Sequence, residues 1–125
     1  YFADAHPTAR VFDGLRDAED REGRPAWFLP YFERAPQVFD DPTDYAVASA
    51  ALANSRTVEW MHPLGDILEA LRSAGLRLDW VHEHGRLPWQ IFPGLVRDGD
   101  GLWTWPGRAW LPLALTLSAS HDARA

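Results

Sequence analysis

The chain has 125 residues, and its 12 basic residues are all arginine against 18 acidic ones, giving a net charge of −6. That balance argues against a phosphate-backbone binder, which needs a basic surface, and the absence of lysine excludes Schiff-base and P-loop lysine chemistry. There is no cysteine for disulfides, zinc knuckles or thiol nucleophiles, and no apolar run approaches the roughly 20 residues that span a bilayer.

Hydrophobic residues make up 46% of the chain and include seven tryptophans, enough for the core of one globular domain. Tyr1–Ala5 is apolar except for Asp4, and His6-Pro7 closes it. This pattern predicts the end of a strand running into a loop, because proline holds the preceding residue extended. The chain begins without Met and already inside this apolar stretch, so it reads as a piece of something longer. Residues 8–26 are polar and predict a solvated loop with a short helical turn near Thr8–Phe12. Trp27–Phe32 and Gln37–Phe39 are broken by Pro30 and Pro36, which suits two short extended pieces, able to pair as a hairpin on a sheet edge, better than helix. Asp40–Asp44 is turn chemistry. Ala46–Ala53 fits either a weak helix or a loose loop, and Arg56–Met61 a third extended segment.

His62-Pro63-Leu64-Gly65-Asp66 opens the clearest element. Leu64, Ile67, Leu68, Leu71 and Ala74 form one apolar stripe and predict a helix over Leu64–Ala74 with that face buried. Pro63 suits the first turn, Asp66 sits near the positive end, and Gly75 is placed to end the helix. Leu76–Val81 alternates, with Leu76, Leu78 and Trp80 on one face, and predicts a strand. Leu87–Val96 is too broken by proline for a regular element. Asp98–Gly101 is a turn, Leu102–Trp105 a short strand, and Leu111–Leu117 an alternating half-buried strand. His121–Ala125 reads as a polar tail.

Four blocks in this order, YFADAHP (Tyr1–Pro7), RTVEWMHPLGDILEALRSAGL (Arg56–Leu76), HEHGRLPWQIFPGLVRDGDGLW (His82–Trp103) and PLALTLSA (Pro112–Ala119), resemble the C-terminal half of bacterial class I S-adenosylmethionine-dependent methyltransferases. The resemblance implies an α/β fold: the C-terminal part of a Rossmann-like sheet, strands five to seven, with a β-rich cap. Residues 1–7 would hold strand five, 8–60 the cap insertion, and 61–125 the helix, strand six (Leu76–His82), a loop and strand seven (Leu111–Ala119). Strand seven would run antiparallel between the other two. The first four strands have no counterpart here, nor do the glycine-rich loop and acidic residue that hold the cofactor in the family. The resemblance therefore implies an acceptor-side portion, inactive alone and cytoplasmic. S-adenosylmethionine would be bound mainly by the absent half, the partner would be a small-molecule acceptor rather than nucleic acid or membrane, and the exposed strand edge would favour self-association.

Candidate site residues follow. His6 lies just past a strand, at what would be the carboxyl edge of the sheet, where open α/β folds bind ligands; it either serves the acceptor or stabilises the loop. His62 and Trp60 precede the helix at the same edge, as pocket residues or as cap and core. His6 and His62 are the candidates for removing the acceptor's proton, and Trp60, Trp89 and Phe92 for lining the pocket. His82 and His84 share one face of an extended segment, but no third metal ligand is placed by the sequence. Gly99-Asp100-Gly101 sits in a turn and is no nucleotide motif, and neither Ser49 nor Ser55 lies in a nucleophile elbow. A non-enzymatic module with an aromatic-lined pocket is the competing reading.

Overall fold

The computed structural model describes residues 1–12, 26–42 and 52–121. The apolar stripe forms helix α1 over Leu64–Ser73, capped by Ala74. Gly75 takes a φ of 75°, the left-handed conformation that ends a helix at low cost. Pro63 offers no side-chain cap. Instead the Leu64 N–H donates to the Tyr31 hydroxyl at 2.9 Å. The expected burial of the stripe is only partly realised, for Leu64, Ile67, Leu68 and Leu71 are half-buried and no residue of α1 is fully buried.

Around this helix the described residues are mostly β, in a mixed α/β arrangement of antiparallel sheets. β1 (Phe2–Ala5) is followed by a 3₁₀ turn over Pro7–Val11, close to the helical turn expected at Thr8–Phe12. β2 (Gln37–Asp40) pairs antiparallel with β3 (Arg56–Glu59). The expected partnership of Gln37–Phe39 with Trp27–Phe32 does not form. Pro30 supplies a turn there, its carbonyl accepting from the Glu33 N–H, and Trp27 makes only an isolated bridge to Phe12. The Ala46–Ala53 stretch and the charged run of 13–25 fall largely outside the described residues.

β4 (Leu76–His84) follows α1 and is longer than the alternation indicated. A register shift between Leu78 and Trp80 departs from the expected single face of Leu76, Leu78 and Trp80. Leu78 lies opposite Ala119 while Trp80 lies opposite Ser118, so Asp79 is the extra residue of a bulge and Trp80 turns to the face opposite Leu76 and Leu78. Trp80 then stacks on His82, ring centres 4.8 Å apart. Next come three two-residue strands, β5 (Arg86–Leu87), β6 (Val96–Arg97) and β7 (Trp103–Thr104), ordered β5-β7-β6 in a small sheet. Only β7 was expected. The Asp98–Gly101 turn joins β6 to β7 as predicted, with Gly101 at φ 82° and the Asp98 carboxylate accepting the N–H groups of Asp100 and Leu102.

β8 (Ala114–His121) starts later than expected and takes in His121. It is the central strand of the order β1-β8-β4 and is antiparallel to both neighbours. β1 and β4 are thus parallel to each other and joined by a crossover containing α1. Leu113, Leu115 and Leu117 alternate onto one face and are buried. Leu113 belongs to a core cluster with Ala9, Leu87, Phe92, Leu95 and Trp105. Val11, Leu29 and Met61 make a second, smaller cluster.

Candidate functional site

Because β1 and β4 run the same way, their carboxyl ends meet at one edge of the central sheet. Two main-chain bonds tie that edge to the start of β8: the His6 N–H donates to the Leu113 carbonyl at 2.9 Å, and the Leu113 N–H to the His84 carbonyl at 2.7 Å. His6 is the buried polar residue here, 3% exposed. It caps the 3₁₀ turn, its Nδ1 accepting from the Thr8 N–H at 3.1 Å, with the Thr8 hydroxyl on the same nitrogen. Pro7 at the first turn position needs no partner for an N–H it lacks. His6 Nε2 stands 2.9 Å from Glu83 Oε1, an ion-pair distance, but without aligned hydrogen-bond geometry.

Burial holds the His6 imidazole below its ordinary pKa of 6.5, with the nearby Glu83 carboxylate acting in the opposite direction. The unfolded chain therefore binds the proton more readily. The stability His6 contributes is present above pH 6.5 and is lost as pH falls through the folded-state pKa. Urea midpoints measured from about pH 7.5 to about pH 5.5 are expected to fall more steeply for the native chain than for His6→Asn, whose amide oxygen can still cap the turn without titrating. Parallel midpoint curves for the two proteins would rule this out.

Trp60 and His62 lie on the segment that packs beside the 3₁₀ turn. Arg10 of the turn pairs with Glu59, and Met61 packs with Val11 and Leu29. Trp60 is half exposed and His62 exposed. Arg34 beside Asp66 holds that carboxyl below its usual range, with a weaker contribution from His62. Met61 and Arg10 bring the two segments together. No hydrogen bond or ion pair among the described residues joins His6 to Trp60 or His62.

Trp89 is 39% exposed and lines a pocket of about 300 Å³ with Ala3, His84, Leu87, Leu102 and Thr116. His84 Nε2 and the Thr116 hydroxyl are hydrogen-bonded there at 2.8 Å. Phe92, expected beside Trp89, sits in the core instead, 1% exposed and stacked on Trp105. Glu83 lies opposite Leu115 and His84 opposite Ala114, successive positions that face opposite sides of a strand. The His6–Glu83 pair and the Trp89 pocket therefore belong to opposite faces of the sheet. His82 and His84 have perpendicular rings 6.2 Å apart, and among the described residues no group of three or more metal-ligating side chains surrounds them.

Sequence reasoning missed Glu83 and Thr8. Thr8 follows the His-Pro pair two residues after His6, where its N–H can donate to a capping side chain, a readable local signal. Glu83 is flanked by two histidines; alternation puts it on the face opposite theirs, and only the folded chain brings His6 to it. Comparison with family models, with curated proteins and with solved structures finds no match to the chain. The described residues also do not fit a nucleotide cofactor. Gly99 and Gly101 belong to a hairpin turn whose N–H groups are already taken by Asp98 and whose acidic side chains pair with Arg86, and no strand–glycine loop–helix unit is present among them.

Proposed function

We propose that the chain is the C-terminal, acceptor-side portion of an S-adenosylmethionine-dependent methyltransferase acting on a small molecule, with the cofactor held by residues that precede Tyr1. The observation that carries this reading is the strand order β1-β8-β4, with the last strand inserted antiparallel between two parallel strands that a helical crossover connects. Strands five to seven of the family's sheet have this arrangement. The free edge of β1 supports it as well. Among the described residues β1 pairs only with β8, and an unpaired edge is a template for further strands. In this reading the remainder of the sheet occupies that edge, and a chain lacking it self-associates.

In the proposed enzyme the residues of this chain bind and orient the acceptor, an effect able to supply about 7–11 kcal/mol of barrier reduction at its best. His6 and Glu83 stand at the carboxyl edge where the acceptor would lie, and Trp60 and His62 flank the turn that His6 caps. The natural reading frame offers an inexpensive test. Upstream of Tyr1 it is expected to encode about 100 or more residues with a strand, a glycine-rich turn and a helix. A start codon just before Tyr1 contradicts the proposal.

A second reading, a non-enzymatic small-ligand module, draws on the Trp89 pocket. Its volume of about 300 Å³ is at the lower bound for small-molecule sites. A short reading frame together with binding of an apolar ligand that quenches Trp89 fluorescence would favour it.

A further inference from the structure

A neutral imidazole has one N–H and one free lone pair, and its neighbours decide which nitrogen carries which. At His6 that decision is made by Thr8. The main-chain N–H of Thr8 points at Nδ1 from 3.1 Å, and an amide N–H can only donate. Nδ1 therefore supplies the lone pair, and the hydrogen is on Nε2. His6 can take up a further proton only at Nδ1, where it would expel the Thr8 N–H and uncap the 3₁₀ turn. Burial to 3% exposure resists the resulting charge as well.

Glu83 is the opposite case. Its side chain is 56% exposed, so a ligand can reach it, and an ionised carboxylate offers only lone pairs. One oxygen, Oε1, rests 2.9 Å from His6 Nε2, leaving the second for a ligand. Nε2 has no aligned partner of its own, so its hydrogen is available to hold the carboxylate once a bound ligand draws Glu83 into line.

We infer that Glu83 is the proton acceptor at this edge, and that His6 is a fixed hydrogen-bond donor that positions it. The inference about Glu83 rests on the reading of this edge as the acceptor site; the state of His6 does not. The ligand group must carry a hydrogen that Glu83 can take, so the site suits a hydroxyl or amine and rejects an ether. When it acts, the hydroxyl's O–H bond or an ammonium's N–H bond breaks with its electron pair left on that oxygen or nitrogen, and the proton moves to the free Glu83 oxygen, while His6 keeps its own hydrogen throughout.

The test is a long-range proton–nitrogen correlation spectrum of the histidine rings in the full chain at about pH 7, with His6 assigned by its loss in His6→Gln. Nδ1 of His6 is expected to appear as an unprotonated nitrogen and Nε2 as a protonated one. A protonated Nδ1, alone or in an imidazolium, overturns the assignment of His6. The same samples are then titrated with phenol and with anisole, which differ by the hydroxyl hydrogen. Phenol is expected to bind at least about tenfold more tightly than anisole, and Glu83→Gln to abolish the difference. His6→Gln, whose amide nitrogen can replace Nε2–H, is expected to keep it within about threefold. Equal binding of the two probes, binding of neither, or an unchanged preference in Glu83→Gln overturns the role of Glu83. None of these readouts involves methyl transfer, so the methyltransferase reading stands or falls separately, on whether the longer natural protein binds S-adenosylmethionine.

Discussion

Phe92→Ala is expected to lose about 3–5 kcal/mol of stability, the usual cost of truncating a buried aromatic and leaving a cavity. Native domains hold only about 5–15 kcal/mol in all, so the variant should sit near its unfolding transition at room temperature. The size of the effect follows from where the ring lies. Phe92 is 1% exposed, stacks on Trp105 with ring centres 5.4 Å apart, and touches a cluster that gathers Ala9 from the 3₁₀ turn, Leu87 from β5 and Leu113 from the approach to β8. Those segments are far apart in sequence and can relax toward the gap only by giving up their own packing. Trp89, three residues earlier and 39% exposed, provides the control. Trp89→Ala is expected to cost less than about half as much, because much of its surface is already in water. Urea unfolding followed by circular dichroism measures both. Equal losses would mean that the core has been misplaced and that Phe92 walls a pocket after all.

That contrast also shows what the amino-acid order could convey and what it could not. α1 was legible because its leucines recur at helical spacing and Gly75 stops it. The antiparallel pairing of β4 with β8 followed from two alternating segments and the family resemblance. Residues around proline were harder. Leu87–Val96 contains both an exposed tryptophan and a buried phenylalanine, and without regular periodicity nothing local says which aromatic points inward. The two-residue strands β5 and β6 are shorter than any alternation can reveal. In β4 a single extra residue, Asp79, reversed the facing of Trp80, because strand periodicity is two and one insertion exchanges the faces. His6 stands just past β1, where the chain turns, yet its chemistry was not readable. The nitrogen it presents depends on the Thr8 N–H, and the carboxylate beside it comes from a strand 77 residues further along, at Glu83.

The second large effect concerns the cofactor, and it is expected to be all or none. The methionine and ribose of S-adenosylmethionine need a cradle of main-chain N–H groups at a helix start and an acidic partner for the ribose. α1 begins at Leu64 after Pro63, with the Leu64 N–H already donated to Tyr31, and the Gly99–Gly101 turn is held closed by Asp98. On the proposed reading the 125-residue chain serves the acceptor and not the methyl donor. On the same reading the edge of β1, which among the described residues pairs only with β8, is where further strands of the sheet join. Calorimetric titration of S-adenosylmethionine into this chain, and into the protein expressed from the start of its natural reading frame, tests that division directly. The longer protein is expected to bind with a dissociation constant on the order of 1 μM, about 8 kcal/mol, and this chain to release no measurable heat of binding. Tight binding by this chain alone, or none by the longer protein, contradicts the account.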